Sequence, residues 1–324
     1  MNVRAASSRR WLLAISGSLL GCLIAATGPV GMGTAQAAVR PAVASTATRA
    51  VVQSVSGSER AATLRFWTRS RMKSAVPAAP AGVRGATAAP SSDALPSSAI
   101  PNPVLFDGVP TVGALFYTTG TQLHFCTASV VKSASRDLVL TAAHCVYGST
   151  FATNIAYVPQ WHDGISPYGE WPVSSITVAM GWQLEHDDNL DFAFLTVTPP
   201  AGQKQPIQEV TGGLNLGINV GYSHDMFVIG QNDYGSPYPY SEPLGCATQS
   251  FEAMPGQMEF YCNEYWGGTS GGPWILHFNA RTGSGTVFGN IGGYEQGGNY
   301  AWASYSDYYS FPTLELYRQA ERSS

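Results

Sequence analysis

Charged residues are scarce in this chain, and long apolar runs are scarcer still. Asp, Glu, Lys and Arg make up 12% of the 324 residues, and the net charge of −4 argues against a nucleic-acid-binding protein. Beyond the N-terminal region no apolar run reaches the roughly 20 residues of a spanning helix, so we expect no stable membrane association. The 35 glycines and 21 prolines argue against a helical bundle, and the 44% hydrophobic content against a disordered chain.

Metal-binding motifs are also missing. The sequence has no C-x-x-C and no H-E-x-x-H, so we expect neither a metal site nor a cofactor. It has five cysteines, of which Cys22 lies in the N-terminal region. The other four are an even number, which is typical of an exported, disulfide-bonded protein. Three pairings are possible, and we expect sequence neighbours to pair, Cys126 with Cys145 and Cys246 with Cys262.

The N-terminal region differs from the rest of the chain in charge. Residues 1–103 contain 11 Lys or Arg and 2 Asp or Glu, whereas residues 104–324 contain 6 and 19. Residues 1–37 have a basic start, an apolar stretch and small residues at the end, which predicts a secretory signal. Arg9 and Arg10 resemble a twin-arginine export signal, and Cys22 a lipoprotein cleavage box. We favour simple secretion into the extracellular space.

Residues 38–103 are rich in Ala, Ser, Pro and Arg and have few large apolar side chains. Such a composition buries too little surface to offset the entropy of ordering the chain, so it predicts a flexible linker or a propeptide. We favour a propeptide, whose positive charge would dock on the acidic domain that follows. Leu64–Met72 is the exception, because its apolar residues could form a short helix.

Residues 104–324 contain many short segments of β-favouring residues, separated by residues that are typical of turns. Phe192–Val197 is one example, and the pattern predicts an all-β domain built as a sandwich or barrels. Only the end differs. Residues 312–320 predict a short C-terminal helix with Ser310 as its cap.

Three motifs carry chemistry. In Gly267–Pro273, four glycines surround Ser270, and glycine lets a substrate carbonyl approach bare backbone N–H groups, as an oxyanion hole requires. His144 lies 126 residues earlier in a T-A-A-H-C motif, and Asp191 lies between the two, at the start of an apolar strand. An acid that enters a buried strand needs a partner, and a histidine N–H is a natural one. The order His, Asp, Ser suits a nucleophilic triad.

These motifs identify the chain as similar to the chymotrypsin/trypsin family of serine peptidases. L-T-A-A-H-C resembles the family's histidine motif, D-F-A-F-L its aspartate motif and G-G-T-S-G-G-P its nucleophile loop. The resemblance covers residues 104–324 and looks closest to secreted bacterial members, including the branch of glutamyl endopeptidases. It implies two antiparallel β-barrels of chymotrypsin type, with the active site between them.

The resemblance also implies roles for single residues. Ser270 would be the nucleophile, His144 the general base and Asp191 the group that orients the histidine. We prefer Asp191 to its neighbours Asp187 and Asp188, which lie in the polar approach to the strand. The backbone N–H groups of Gly268 and Ser270 would form the oxyanion hole. A Cys126–Cys145 bridge would correspond to the one that clamps the family's histidine loop.

The resemblance further implies where substrate binds. Gly292 and Gly293 fall where the family's substrate backbone pairs with an edge strand. Glu264, six residues before Ser270, corresponds to the floor of the specificity pocket, where a carboxylate would favour Arg or Lys. Two positions depart from the family pattern: Thr269 stands where many relatives have an acid that binds a new N-terminus, and Trp266 where many have a disulfide cysteine.

The sequence thus predicts a secreted, monomeric serine endopeptidase made as a precursor, with protein or peptide substrates. One alternative is a catalytically silent homologue that binds protein. Another is an esterase of the nucleophile-elbow type, because Gly268–Gly272 fits G-x-S-x-G. That reading would need a histidine after the serine, and His277 follows only seven residues later, within a predicted strand.

Overall fold

The computed structural model describes residues 46–77, 100–232 and 242–323. The predicted signal and Cys22 lie outside the described residues, as does the stretch from 78 to 99. No helix in the described part is long and apolar enough to span a membrane.

Residues 46–77, called the N-terminal arm below, contain regular structure on both sides of Trp67. Its elements are β1 (Ala50–Ser54), α1 (Gly57–Phe66), α2 (Arg69–Lys73) and β2 (Val76–Pro77). The predicted helix over Leu64–Met72 is divided because each helix has its own cap. The Ser56 hydroxyl accepts from the Glu59 N–H at the start of α1, and the Thr68 hydroxyl accepts from the Arg71 N–H at the start of α2.

Six antiparallel strands form the first half of the peptidase region. They are β4 (Val112–Thr119), β5 (Gln122–Val130), β6 (Leu138–Thr141), β7 (Thr153–Pro159), β8 (Trp171–Ala179) and β9 (Ala193–Val197). They pair in the order β7-β4-β5-β6-β9, and β8 joins β7 to β9, so the six close into a barrel. Strand β1 of the arm adds to β8, with Ala50 opposite Ala179.

A second sheet forms the other half. Its strands are β3 (Val104–Leu105), β10 (Asn215–Leu216), β11 (His224–Gln231), β12 (Pro243–Met254), β13 (Gln257–Tyr261), β14 (Pro273–Asn279), β15 (Ser284–Asn290) and β16 (Ala303–Asp307). The order is β10-β15-β14-β11-β12-β13-β16, with β3 on β12. This mostly β architecture of barrel and second sheet confirms the predicted chymotrypsin-like fold.

Three short helices accompany the sheets: α3 (Met180–Glu185), α4 (Ile207–Thr211) and α5 (Phe311–Arg322). The predicted C-terminal helix is confirmed as α5, with Ser310 as its N-cap. The helix reaches back to the arm, because the Gln319 side chain accepts from the Ala50 N–H at 2.8 Å.

Both predicted disulfides are present, and each belongs to a different sheet. Cys126 of β5 is bonded to Cys145, and Cys246 of β12 is bonded to Cys262 just after β13. The sulfurs are buried, so each bridge is part of the core.

Candidate active site

Asp191 and His144 form a hydrogen-bonded pair in the candidate site. Asp191 is 0% exposed, yet each of its carboxylate oxygens is satisfied. One oxygen accepts from the His144 backbone N–H at 2.9 Å, and the other lies 2.7 Å from His144 Nδ1. The second oxygen also accepts from the Gly293 N–H at 2.9 Å. A buried carboxylate that accepts these three hydrogen bonds is fixed in place and can orient the histidine ring.

Local structure explains why these two residues meet. His144 lies in a short 3₁₀ turn, Ala143–Cys145, directly after β6, and Asp191 lies directly before β9. Strands β6 and β9 pair antiparallel, so the end of one lies beside the start of the other. The Cys126–Cys145 bridge then ties the histidine turn to β5.

The loop that carries Ser270 is held between the two sheets. The Thr127 N–H donates to the Ser270 carbonyl at 2.8 Å, and the Gly271 N–H donates to the Ile291 carbonyl at 2.7 Å. A Cβ on Gly271 would lie 2.2 Å from the Thr127 carbonyl oxygen, so the chain passes β5 too closely for any other residue. Among the described residues, the Ser270 hydroxyl has no hydrogen bond to the His144 ring. Such contacts often form only when substrate binds.

The predicted oxyanion donors are unused in this structure. Within the described ranges, neither the Gly268 N–H nor the Ser270 N–H has a hydrogen-bond partner, whereas their neighbours Thr269 and Gly271 do. Gly268 has φ of +87°, a left-handed conformation that favours glycine. Two unpaired backbone N–H groups, one on each side of Thr269, can donate hydrogen bonds to a negatively charged substrate oxygen.

The two glycines predicted to bind substrate lie behind the aspartate. The Gly293 N–H is occupied by Asp191, and the Gly292 N–H donates to the Tyr305 carbonyl at 3.0 Å. A Cβ on Gly292 would lie 3.0 Å from the Asp191 carboxylate. The N–H groups of these glycines are therefore engaged inside the protein. The Gly292 carbonyl is the group left for a substrate N–H, because the Gly293 carbonyl accepts from Gln296.

Comparison with known proteins identifies the family of this chain. The model of the family described as Trypsin matches residues 106–310, more than half of the chain. The chain belongs to the trypsin family. No curated protein matches it.

Solved structures of similar fold are bacterial and microbial proteases. The protease Anisep from Arthrobacter nicotinovorans is 24% identical, with a TM-score of 0.60, and covers 67% of this chain and 98% of its own. The thermostable serine protease AL20 from an extremophilic microorganism is 23% identical, with a TM-score of 0.59, and covers 66% and 98%. A Glu endopeptidase in complex with MPD is 13% identical, with a TM-score of 0.53, and covers 68% and 97%. At these identities the likeness shows the fold alone.

Two family features are built differently in this trypsin-family chain. Thr269 is buried, and its hydroxyl donates to the Trp266 carbonyl at 2.7 Å, so the loop is held by its own turn. A Cβ on Gly230 would lie 2.8 Å from the Thr269 side chain, which shows that β11 packs directly on this residue. The Glu264 carboxylate accepts from the Trp266 indole N–H at 2.9 Å.

A cleft of about 740 Å³ opens beside the histidine. Its walls include His144, Tyr147, Trp182, His186 and Gln296. Of these five residues, the sequence motifs mark His144 alone. No local motif marks the others, because they come from separate segments: Tyr147 follows the histidine turn, Trp182 and His186 lie in and directly after α3, and Gln296 follows Gly293.

The acids that precede Asp191 have other roles. The Asp187 carboxylate accepts from the Asn189 N–H at 3.0 Å and so caps the turn before Asp191. Burial, together with the nearby Asp191 charge, raises the pKa of the Asp188 carboxyl. Cys126, Cys145 and His144 lie close enough to hold a metal, but both sulfurs are used in the disulfide and cannot be thiolate ligands.

Proposed function

We propose that this chain is a secreted serine endopeptidase that hydrolyses peptide bonds through a Ser270–His144–Asp191 triad. The observation that carries the proposal is the buried Asp191 carboxylate, which is hydrogen-bonded to His144 Nδ1 at 2.7 Å. The unpaired backbone N–H groups of Gly268 and Ser270 support it. Family membership supports protein or peptide substrates. The two disulfides support export to an oxidising compartment.

The chemistry follows from these positions. His144 Nε2 takes the proton of the Ser270 hydroxyl as the serine oxygen attacks the carbonyl carbon of the peptide bond. The Gly268 and Ser270 N–H groups stabilise the resulting oxyanion. His144 then donates the proton to the leaving amine, which leaves an acyl-enzyme on Ser270. A water molecule, deprotonated by His144, hydrolyses the ester and restores the serine.

Asp191 acts on this sequence through the histidine. Because Asp191 accepts from Nδ1, the proton of a neutral ring lies there and Nε2 is free to act as the base. Three donors fix the Asp191 carboxylate beside the ring, where a carboxylate stabilises the imidazolium that forms during attack.

A substitution series tests the triad. Ser270→Ala and His144→Ala should each reduce kcat for a casein-type substrate to less than about a thousandth of wild type. The double variant should be little worse than either single one, because the residues act as a unit. Thermal unfolding and secretion serve as controls for folding. Activity that persists in Ser270→Ala would contradict the assignment, and an inactive wild type would point to a protein-binding homologue.

Substrate preference is proposed from Glu264. The family resemblance puts Glu264 at the floor of the specificity pocket, where a carboxylate attracts Arg or Lys, so we expect cleavage after basic residues. Glu264→Gln should lower kcat/KM for an Arg peptide by about tenfold or more, equivalent to about 1.4 kcal/mol. Peptides with Leu or Glu at the same position are the controls. If the variant and wild type cleave the Arg, Leu and Glu peptides at the same relative rates, Glu264 is not part of the specificity pocket.

A further inference from the structure

The N-terminal arm lies on an apolar surface of the barrel. Trp67, Met72 and Ala75 of the arm are each less than 5% exposed. They pack in one cluster with three aromatic side chains of the barrel, called the aromatic seat below: Phe116, Phe125 and Trp161. The Trp67 ring lies 5.4 Å from Phe116, and its indole N–H donates to the Asn154 carbonyl at 2.5 Å. Without the arm, this seat would be an exposed apolar patch.

The arm is also paired through its backbone at both ends. Strand β1 pairs with β8 over five residues, and β2 pairs with β5 at His124 and Phe125. The Val55 N–H donates to the Ser174 carbonyl, and Met180 donates to the Arg49 carbonyl, both at 2.8 Å. A segment joined to three barrel strands and to α5 is integrated into the fold.

Two arginines of the arm bond within the arm itself. Among the described residues, no arginine of the arm forms an ion pair with the acidic domain. Arg60 and Arg71 instead donate to carbonyls of the arm itself, those of Val55 and Phe66. Apolar packing and strand pairing join the arm to the barrel.

One residue of the seat connects the arm to the nucleophile loop. A Cβ on Gly268 would lie 2.3 Å from the Phe125 ring, so this ring packs directly on one of the two oxyanion glycines. The Phe125 ring also packs in the cluster that contains Trp67 and Met72. Two residues further along β5, the Thr127 N–H holds the Ser270 carbonyl. Strand β5 therefore contacts the arm and the catalytic loop together.

We propose that the arm is a permanent part of the folded enzyme. After cleavage between residues 77 and 100, it stays bound as a separate chain on the aromatic seat, and through Phe125 it supports the loop of Gly268 and Ser270. The cleavage is the precursor processing predicted from the sequence, and the effect on catalysis rests on the proposed function. The family match begins at residue 106, so this support lies outside the part shared with the family. The cleft beside His144 has no arm residue among its lining, which is consistent with an arm that leaves the site open.

Retention can be tested without catalysis. A recognition sequence for a site-specific protease is inserted between residues 88 and 89 of the full chain carrying Ser270→Ala, and the cut protein is passed over a sizing column. We expect the arm to co-elute with the peptidase domain. Trp67→Ala should weaken retention at least about tenfold, because a buried indole and its hydrogen bond are lost. Arg69→Ala, an exposed substitution in α2, is the matched control. Release of the unsubstituted arm after cleavage would overturn the proposal.

The same cut protein shows whether the arm supports the loop of Gly268 and Ser270. Amide hydrogen exchange over residues 264–272 should become faster when Trp67→Ala releases the arm, whereas residues 246–262 should keep their exchange rates. Adding a synthetic peptide of residues 46–77 should restore slow exchange. Unchanged exchange after release would refute the supporting role. The uncut Trp67→Ala chain, in which the arm remains tethered, shows by circular dichroism whether the substitution itself unfolds the barrel; if it does, Trp67→Phe is used.

Activity of the cut chain with Ser270 intact distinguishes support from inhibition. Loss of the arm should lower kcat about tenfold while KM changes little, because oxyanion donors act mainly in the transition state. A rise in activity after release would identify the arm as an inhibitor and contradict the proposal. If no form of the chain hydrolyses peptides, the proposed function fails, while the sizing and exchange results still decide the role of the arm.

Discussion

Two aspartates near the active site are fully buried but differ in their partners. Asp191 receives three hydrogen bonds, whereas neither carboxylate oxygen of Asp307 has a partner among the described residues. Burial, followed by the Asp191 charge, raises the pKa of the Asp307 carboxyl well above its usual range. An acid in this environment is most stable in its neutral form.

Asp307→Asn should therefore stabilise the protein at high pH. The folded state keeps a proton on Asp307 that the unfolded chain releases above the ordinary pKa, so wild-type stability falls as pH rises from there toward the raised pKa. Asparagine does not titrate, and we expect a gain of about 1–3 kcal/mol at pH 8, the range for an unsatisfied buried group. The gain should vanish below the ordinary pKa.

Urea unfolding at pH 8 and at pH 3.5 measures this difference. Asp225→Asn, an exposed acid on β11, is the control for simple loss of a carboxylate. Equal stability of Asp307→Asn and wild type at both pH values would show that Asp307 has a partner in solution.

At the scale of elements, the two disulfides form a natural pair for comparison. They close loops of similar length, with sequence separations of 19 and 16, but lie in different sheets. Cys145 is adjacent to His144, while the second bridge joins β12 to the end of β13. The first bridge should therefore matter for catalysis as well as for stability.

Replacing both cysteines of either bridge by alanine should cost about 3 kcal/mol of unfolding free energy. We expect kcat to fall about tenfold or more for Cys126→Ala/Cys145→Ala, because the histidine turn loses its tie to β5. The Cys246→Ala/Cys262→Ala chain should keep kcat near wild type when assayed well below its melting temperature. Equal kcat values in the two variants would contradict a positioning role for the first bridge.

At the scale of the whole molecule, the interface between the arm and the barrel includes apolar packing and strand pairing, although the chain is unevenly charged. Residues 1–103 are strongly basic and the following domain is acidic, yet the described contacts of the arm are packing and strand pairing. Interactions between exposed charges are screened by salt, whereas apolar contacts are not.

Salt should therefore leave docking intact. In the cut Ser270→Ala chain, the fraction of arm retained on a sizing column should be the same at about 0.05 M and about 1 M NaCl, where the screening length falls to about 3 Å. The Trp67→Ala chain, already weakened in its apolar contacts, shows that the assay detects release. Release of the unsubstituted arm by salt alone would indicate an electrostatic interface.

The sequence by itself determined the features that depend on neighbouring residues. The three motifs around His144, Asp191 and Ser270, the all-β pattern, the capped C-terminal helix and the pairing of cysteines nearest in sequence could all be predicted, because short-range order and spacing carry them. The helices of the arm could also have been found from the caps at Ser56 and Thr68, rather than from the apolar residues between Leu64 and Met72.

Tertiary structure decided what joins distant segments. Gly293 donates to Asp191 across 102 residues, and Phe125 of β5 packs on Gly268. Trp67 enters a seat built from β4, β5 and the turn after β7. The unpartnered Asp307 likewise depends on which strands enclose it. Glycine, phenylalanine and tryptophan have many possible roles, and no local pattern distinguishes them. Their contacts follow from the closure of the barrel and its packing, which bring together residues that are far apart in the chain.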